Sequence, residues 1–328
     1  MDEMKIYMKE TAEKLQPILL SYLKLEEKAV REMVEHPIRA GGKRVRPALL
    51  LLANEIVGGS PKKMLPAAAS VELLHTFTLV HDDMMDHDLE RRGKPTVHAL
   101  WGDEMGLIVG DTLYSIAFQA MLDLKKNNIP DLLILKAVEE LVRANAELHE
   151  GQILDMVYSK RDEVKEEQYM RMIGKKTGAL LESSLRIGAI LGGGSVKQVD
   201  ALGNFGRYIG LSFQIKDDIL GLTADEKELG KPVGSDICEG KKSLPVLYAM
   251  EHAKKEDRKK LLAILDKKEA CDLNAAMRII RETNSIDYAI KKLENLTSKA
   301  KKELEIFEES KVKKRLLDLA DFLIERRF

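Results

Sequence analysis

Two pairs of aspartates, Asp82-Asp83 in HDDMMD and Asp217-Asp218 in FQIKDDILG, stand in stretches otherwise apolar enough to form buried helix. Burying a carboxylate is costly unless a cation or hydrogen bonds replace its hydration, so the pairs predict a polar cleft that holds a metal. On a helix Asp82 and Asp86 stack one turn apart, about 6 Å between Cβ atoms, and Asp83 lies at i, i+3 to Asp86. Two or three carboxylates on one face suit a small divalent cation. Magnesium takes oxygen ligands, keeps several waters and bridges one or two carboxylates to phosphates, which makes a diphosphate the natural partner. Taken alone, DDxxD also fits a solvated helix end. Here, however, apolar residues precede the motif and a second aspartate pair follows about 130 residues later in a similar context.

Cations stand on both sides of these acids. Gly41-Gly42-Lys43-Arg44-Val45-Arg46-Pro47 places flexible glycines before three cations, and Pro47 suits the first turn of the helix that the following leucines continue. A helix start with its free amides favours an anion there. Arg91-Arg92 follow the first aspartates, with Gly93 and Pro95 expected to end that helix. His75 lies two helical turns before Asp82 and should project near the same face. A lone histidine reads more readily as a core residue; its company makes it a ligand candidate.

The elements that position these groups should be helices. The chain has 328 residues, 45% hydrophobic, 5% aromatic and 33% charged, a length that supports a large core in one domain or two. Aliphatic, Ala-rich and Lys/Glu-rich usage favours helix over sheet. Gly58-Gly59-Ser60-Pro61, the run KKNNIP and Gly192-Gly193-Gly194-Ser195 mark turns. Proline-free tracts follow Asp131 and Pro245, and helical periodicity shows in Val71, Leu74, Thr78, Leu79 and Asp82, and in Leu316, Leu319, Ala320 and Leu323. One all-α domain over residues 1–328, of roughly a dozen helices, is the expectation.

A formal net charge of −1 gives a nucleic-acid partner no global electrostatic support. Cys238 and Cys271 belong to no metal-ligand spacing or disulfide framework, so reduced thiols and a cytoplasmic location are expected. The start MDEMKIYMKE lacks a basic region followed by an apolar run, and no uninterrupted apolar stretch has the length of a transmembrane segment.

In order along the chain run GGKRVRP, DDMMDHDLERRGKPTVH, EGQILDM, GKKTGALLESS, FQIKDDILG and ADEKELGKPVGSD. This ordered series resembles the trans-isoprenyl diphosphate synthases of the polyprenyl synthetase family. The resemblance implies an all-α bundle around a deep central cavity, usually a homodimer. It also implies magnesium-dependent, head-to-tail condensation of isopentenyl diphosphate with an allylic diphosphate (dimethylallyl, geranyl or farnesyl), releasing pyrophosphate. Metal ions held by Asp82, Asp86 and, across the cavity, Asp217 would make the allylic diphosphate a better leaving group. Asp83 is counted with Asp82 and Asp86 among the metal residues, Asp218 would support Asp217, and Asp155 would reach a metal through water. The isopentenyl double bond attacks the resulting carbocation, and the released pyrophosphate takes the proton. Positioning and electrostatic stabilisation are then the protein's main task, and no protein nucleophile is required.

By the same resemblance Lys43, Arg46, His75 and Arg92 match contacts of isopentenyl diphosphate, while Arg91, Lys176, Lys231 and Lys241 match cations around the allylic diphosphate. Gln152, Thr177 and Gln214 match polar residues nearby, with Thr177 at a helix bend that hydroxyl back-bonding to the preceding turn would explain. The second motif departs from DDxxD, because its fifth position is Gly221. One carboxylate is missing at that end; an active enzyme is still expected if Asp217 is the direct ligand, with metal affinity there the quantity in question.

Product length should depend on what lies beneath the first aspartates. Phe77 precedes Asp82 by five residues, about 7.5 Å along the helix, with Thr78 and Leu74 one and two turns below Asp82. Phe77 can floor a cavity, or simply pack in a core. An aromatic here, a smaller residue after it and no insertion in DDMMD are similar to the archaeal-type short-chain geranylgeranyl diphosphate synthases, which implies a twenty-carbon product. A farnesyl or mixed farnesyl/geranylgeranyl product stays open. A class I terpene cyclase has no need of GGKRVRP, and a non-catalytic accessory subunit would be expected to have lost aspartates or the basic motif.

Overall fold

In a computed structural model that describes residues 2–224, 234–266 and 271–324, the periodic tracts are helices throughout. In chain order they are α1 (Asp2–Tyr22), α2 (Lys28–Arg39), α3 (Val45–Ile56), α4 (Leu65–Met85), α5 (Val97–Trp101), α6 (Asp103–Leu122), α7 (Asp131–Ser159) and α8 (Glu166–Ile173). Then follow α9 (Ala179–Leu191), α10 (Val196–Thr223), α11 (Ser235–Cys238), α12 (Leu244–His252), α13 (Lys255–Leu265), α14 (Leu273–Glu282), α15 (Ser285–Glu303) and α16 (Lys311–Ile324). The expected all-α class holds. Among the described residues the sheet content is one hairpin, β1 (Glu90–Arg91) antiparallel to β2 (Lys94–Pro95).

The chain sorts into two compact units of non-contiguous segments. The first comprises Met1–Arg143, Ser183–Gly203 and Ile306–Asp318, the second Ala144–Glu182, Asn204–Glu305 and Leu319–Phe328. The core of the first is aliphatic: Leu49, Leu50 and Leu52 of α3, Leu73 and Leu74 of α4 and Leu113 of α6 are fully buried. α4 is apolar on nearly every side, as a helix surrounded by others must be. In the second unit Ile215 and Ile219 of α10 pack with Tyr169, Leu244 and Leu293, and Leu222 packs with Ile237, Val246, Ile279 and Ile280.

The end of α4 departs from the sequence reading. The helix stops at Met85, well before Gly93 and Pro95. His87 takes a left-handed conformation (φ 56°), and the Asp88 amide donates back to the Asp83 carbonyl at 2.9 Å, a capping pattern that closes the last turn. Arg92-Gly93 then form the hairpin tip with φ of 56° and 70°, the positive pair that a tight two-residue loop favours.

One further expectation is corrected. Cys238 and Cys271 are joined in a disulfide, with Cα atoms 5.5 Å apart, so the argument from reduced thiols to a cytoplasmic location falls away. Sequence spacing could not show this, because packing of Ile237 with Ala275, Ala276 and Ile279 is what draws the two segments together. Loop-closure entropy for a separation of 33 residues assigns the bond about 3–4 kcal/mol. Cys238→Ser, or added reductant, should therefore lower the melting temperature by several degrees; an unchanged midpoint would show that the thiols are unpaired in solution. The run Asp103–Asn127 is long and apolar enough by composition to cross a membrane, although Asp111 interrupts it. Val109, Leu113, Ile116 and Ala117 bury one face of it within the first unit, as in a core helix.

Candidate active site

In the first unit the acidic motif closes α4. Asp86 is the C-cap, and its amide donates to the Asp82 carbonyl at 2.9 Å, so the two residues keep helical i, i+4 stacking with Asp82 half-buried and Asp86 exposed. Asp83, the next residue, is turned about 100° round the helix from Asp82. It is buried and accepts from Nε of Arg91, whose Nη2 also approaches Asp88 at 3.5 Å. Burial pushes the Asp83 carboxyl up to about 6 against the pull of Arg91. The hairpin thus ties Asp83 to Arg91, leaving Asp82 and Asp86 as the pair on one face.

The basic motif divides by function. Arg44 turns inward as the left-handed N-cap of α3 (φ 50°) and pairs with buried Glu72 at 2.5 Å. Lys43 is exposed, while Arg46, the second residue of α3, meets His75 with Nη1 3.1 Å from the ring Nε2. Burial, then the guanidinium groups of Arg46, Arg92, Arg44 and Arg91, hold the His75 pKa well below its ordinary value. A neutral ring can accept the Arg46 hydrogen bond. Nε of Arg46 is buried and has no hydrogen-bond partner, and burial lowers its pKa to about 10. Arg92 donates to the Gly41 carbonyl and covers Gly42, where a Cβ would lie 2.7 Å from Nη1. Gly42 therefore permits the Arg92 guanidinium to lie across the loop. Guanidinium groups crowded round a neutral histidine, with an orphaned buried N–H, have the chemistry of an anion site.

The second unit holds a cavity of about 380 Å³, within the range of small-molecule sites. Asp155, Lys176, Gln214, Asp217, Asp218 and Lys241 line it. Gly151 lets α7 approach closely, since a Cβ there would collide with the Lys176 backbone. Lys176 sits in a π-helical turn, Gly174–Gly178, and its Nζ lies 2.7 Å from Asp155 Oδ2. That turn is the bend expected at Thr177, but its cause differs: the Thr177 hydroxyl donates to Gln214 Oε1 at 2.9 Å, across to α10, not back to the preceding turn. The extra residue of the π-turn rotates the hydroxyl off its own helix. Gln214 Nε2 in turn donates to Asp218 Oδ1 at 3.2 Å, and the Tyr169 hydroxyl donates to Oδ2 at 2.5 Å. Burial pushes the Asp218 carboxyl up to about 6 against these donors. Asp218 is engaged by protein groups at both oxygens, whereas Asp217 is its neighbour on the cavity wall.

Carboxylates beside lysines in a half-open cavity fit a hydrated divalent cation carrying phosphate oxygens, the donor set magnesium prefers. Among the described residues no group of three or more acidic or imidazole side chains is close enough to hold a metal alone. Substrate oxygens would therefore complete the shell.

Leu74 is fully buried, the Thr78 hydroxyl donates to the His75 carbonyl at 2.8 Å, and the Phe77 ring is 5% exposed. Phe77 packs edge-on to His81 at 4.8 Å and against Tyr114 at 5.1 Å between ring centroids. Lys231 lies outside the described residues. Sequence reasoning missed Tyr169, two turns before Lys176, and gave no role to Asp236, although VGSD was part of the ordered series. It also did not separate Arg44, which is structural, from its neighbours.

An all-α chain with an acid-rich helix end, a guanidinium-rich anion site and a second cavity of mixed acids and lysines defines the class of isoprenyl diphosphate synthases. Comparison with known proteins is specific: residues 27–281 match the family model described as polyprenyl synthetase. The chain belongs to the polyprenyl synthetase family. It is 42% identical over 321 residues to a short chain isoprenyl diphosphate synthase of Methanothermobacter thermautotrophicus, covering 94% of this chain and 98% of that relative. A geranylgeranyl diphosphate synthase of Sulfolobus acidocaldarius is 40% identical over 325 residues, covering 98% of each. Among solved structures, geranylgeranyl pyrophosphate synthetase from Pyrococcus horikoshii superposes with a TM-score of 0.93 at 41% identity, covering 99% of both chains.

Proposed function

We propose that this chain is a prenyltransferase that condenses isopentenyl diphosphate head-to-tail with allylic diphosphates, giving mainly geranylgeranyl diphosphate and pyrophosphate. The observation that carries the reading is the presence of two anion sites of different character. One is cationic around Arg46, His75 and Arg92; the other mixes Asp155, Asp217 and Asp218 with Lys176 and Lys241. A reaction that joins two diphosphates, one departing and one retained, needs this asymmetry. Asp82 and Asp86 in the first unit, and Asp217 in the second, are the residues that would hold magnesium, which would supply charge neutralisation of the departing diphosphate.

The chain's own groups do the positioning. Neutral His75 accepts from Arg46 and so directs the guanidinium's remaining N–H groups toward a retained diphosphate. Asp155 aims the Lys176 ammonium, and Thr177 orients Gln214, before any substrate enters. Ordering these side chains in advance lowers the reorganisation needed on ionisation of the allylic substrate.

The test is a product assay of the purified chain with isopentenyl diphosphate and each allylic primer in turn, with magnesium or with chelator, and mass analysis of the dephosphorylated alcohols. Chelator-sensitive twenty-carbon alcohol supports the whole reading. A fifteen-carbon alcohol keeps the reaction and removes the length assignment, and no product with any primer favours the accessory subunit. In the same assay Phe77→Ala should lengthen the main product by at least one five-carbon unit, because the ring that packs on His81 and Tyr114 is the large side chain below Asp82 on α4. An unchanged product would place the floor on another helix.

A homodimer and a cytoplasmic location complete the proposal. Leu100, Leu107, Ile108 and Leu122 are between 46% and 57% exposed on α5 and α6, an apolar surface suited to a second copy of the chain. Light scattering would test the dimer. The charged diphosphate substrates favour an aqueous compartment.

A further inference from the structure

Past α10, the described residues that reach the cavity of the second unit come from one short strap, 234–243, which includes α11: Asp236, Lys241, Lys242 and Ser243. The strap is bonded largely to itself. Amides of Ile237, Gly240 and Lys241 donate to the carbonyls of Gly234, Ile237 and Asp236, each at 2.9 Å. Such a turn keeps its own shape, but ties to other segments must fix its place. The Gly234 amide donates to the Gly221 carbonyl at 2.8 Å, and Ile237 is buried with Ala275, Ala276 and Ile279. The buried Lys242 ammonium donates to the carbonyls of Tyr158 and Ser159 at 3.3 and 3.1 Å, at the end of α7. The covalent tie is the disulfide from Cys238, the last residue of α11, to Cys271. Cys271 adjoins the N-cap of α14, Asp272, which accepts from the Ala275 amide at 3.0 Å and pairs with Lys260 at 2.9 Å. The bond thus fastens the strap to a firmly capped helix start.

We propose that the Cys238–Cys271 bond is a redox-sensitive tie that sets how tightly this cavity holds its diphosphate: intact, it fixes the strap that carries Lys241, and reduced, it lets the strap and its ammonium shift. The inference rests on the diphosphate reading of the cavity. Lys241 pairs with Asp236 at 3.2 Å and with Glu239 at 3.0 Å, and both partners belong to the strap, so the ammonium moves with it. Lys176 differs, because Asp155 holds it from α7. Cys271 is exposed and Cys238 half-buried, which gives a dithiol reductant access to the Cys271 sulfur. Its thiolate attacks there, Cys238 leaves as thiolate and takes a proton, and the second thiol of the reductant then displaces Cys271. Two electrons pass, leaving two protein thiols and an oxidised reductant. Exposed bonds of this kind are the labile ones, and in a thiol-buffered compartment a protein disulfide is usually one that changes state. Ile237 and Lys242 keep their contacts on reduction, so the strap loosens without unfolding.

The experiment compares the full chain oxidised and after reduction with dithiothreitol, thiols being counted by alkylation and mass, at a temperature well below the melting point of the reduced form. It reads kcat, the KM of each substrate and amide hydrogen exchange across 234–243. Reduction should raise the KM of the allylic diphosphate roughly ten-fold, the lower end of what a lost hydrogen bond to a charged group costs. The KM of isopentenyl diphosphate, whose matching residues lie in the first unit, should stay constant, and the Gly240 and Lys241 amides should exchange faster. Reoxidation should reverse all three. Cys238→Ser and Cys271→Ser should show the reduced values with or without dithiothreitol, and Lys241→Met should raise the allylic KM and remove its redox dependence. A bond with a purely structural role would change the fraction of active chain, hence the apparent kcat, and leave both KM values alone. The proposal is overturned if the allylic KM is equal in the two states, if both KM values rise together, if the serine variants still respond to reductant, or if oxidised wild-type chain carries two free thiols. Should the serine variants not fold, reduction and reoxidation of the wild-type chain carry the test. Absence of product in both states would sink the prenyltransferase reading, and the exchange data would still decide the strap, since unchanged protection on reduction overturns it.

Discussion

Asp82→Asn and Asp217→Asn should each lower kcat by about 10²–10³-fold or more, the scale set by removing one group that stabilises transition-state charge. Asparagine keeps the shape and removes the negative charge, so a loss of this size reports electrostatics and not packing. The adjacent aspartates are the control. Asp83 is buried and bonded to Arg91, and Asp218 is held by Tyr169 and Gln214. Asp83→Asn should therefore cost stability more than rate, and Asp218→Asn should give a smaller kcat loss than Asp217→Asn. Single-turnover rates across a magnesium titration distinguish the four: Asp82→Asn and Asp217→Asn should also raise the magnesium concentration required. If Asp83→Asn abolished turnover while Asp82→Asn spared it, the metal-facing and structural members of the first pair would be exchanged.

What the sequence made legible was periodic or ordered. Helix α4 follows from Val71, Leu74, Leu79 and their spacing, and α7 and α10 fill the proline-free tract, because a 3.6-residue pattern is a local property. The motifs likewise singled out Lys176, Gln214 and Asp217, which line one cavity. Contacts between distant positions left no such trace. The Tyr169 hydroxyl meets Asp218 across 49 residues, and the disulfide closes 33. Each exists because two helices pack, and nothing in either local segment encodes its partner. The early stop of α4 is a subtler case, since His87 is a poor advertisement for a left-handed cap that glycine usually provides. Thr177 shows the same limit: a bend was readable from the motif, but the acceptor of its hydroxyl lies on another helix.

Arg44→Met should be among the most destabilising single changes in the first unit. The Arg44 side chain is 1% exposed and that of Glu72 3% exposed, with 2.5 Å between Nη1 and Oε1. Nη2 donates to Gln16 Oε1 at 3.0 Å and to the Ile38 carbonyl at 3.1 Å, so one guanidinium ties α1, α2 and α4 to the start of α3. Removing one partner of such a pair leaves the other charge buried and costs about 3–5 kcal/mol, a large share of the roughly 5–15 kcal/mol that holds a domain folded. Replacing both, as Arg44→Met with Glu72→Leu, should restore most of the melting temperature, since apolar side chains of similar volume do not carry the burial penalty of the charges. The double variant should still be defective. Arg44 adopts the left-handed region at φ 50°, a conformation unfavourable to its side chain that the lost hydrogen bonds had held in place. Lys43 and Arg46 flank that residue, so their ammonium and guanidinium groups lose their common register. KM for isopentenyl diphosphate should rise about ten-fold, equivalent to 1.4 kcal/mol, with kcat nearly unchanged. A double variant with restored stability and wild-type KM would show that the anion site is positioned by α3 alone.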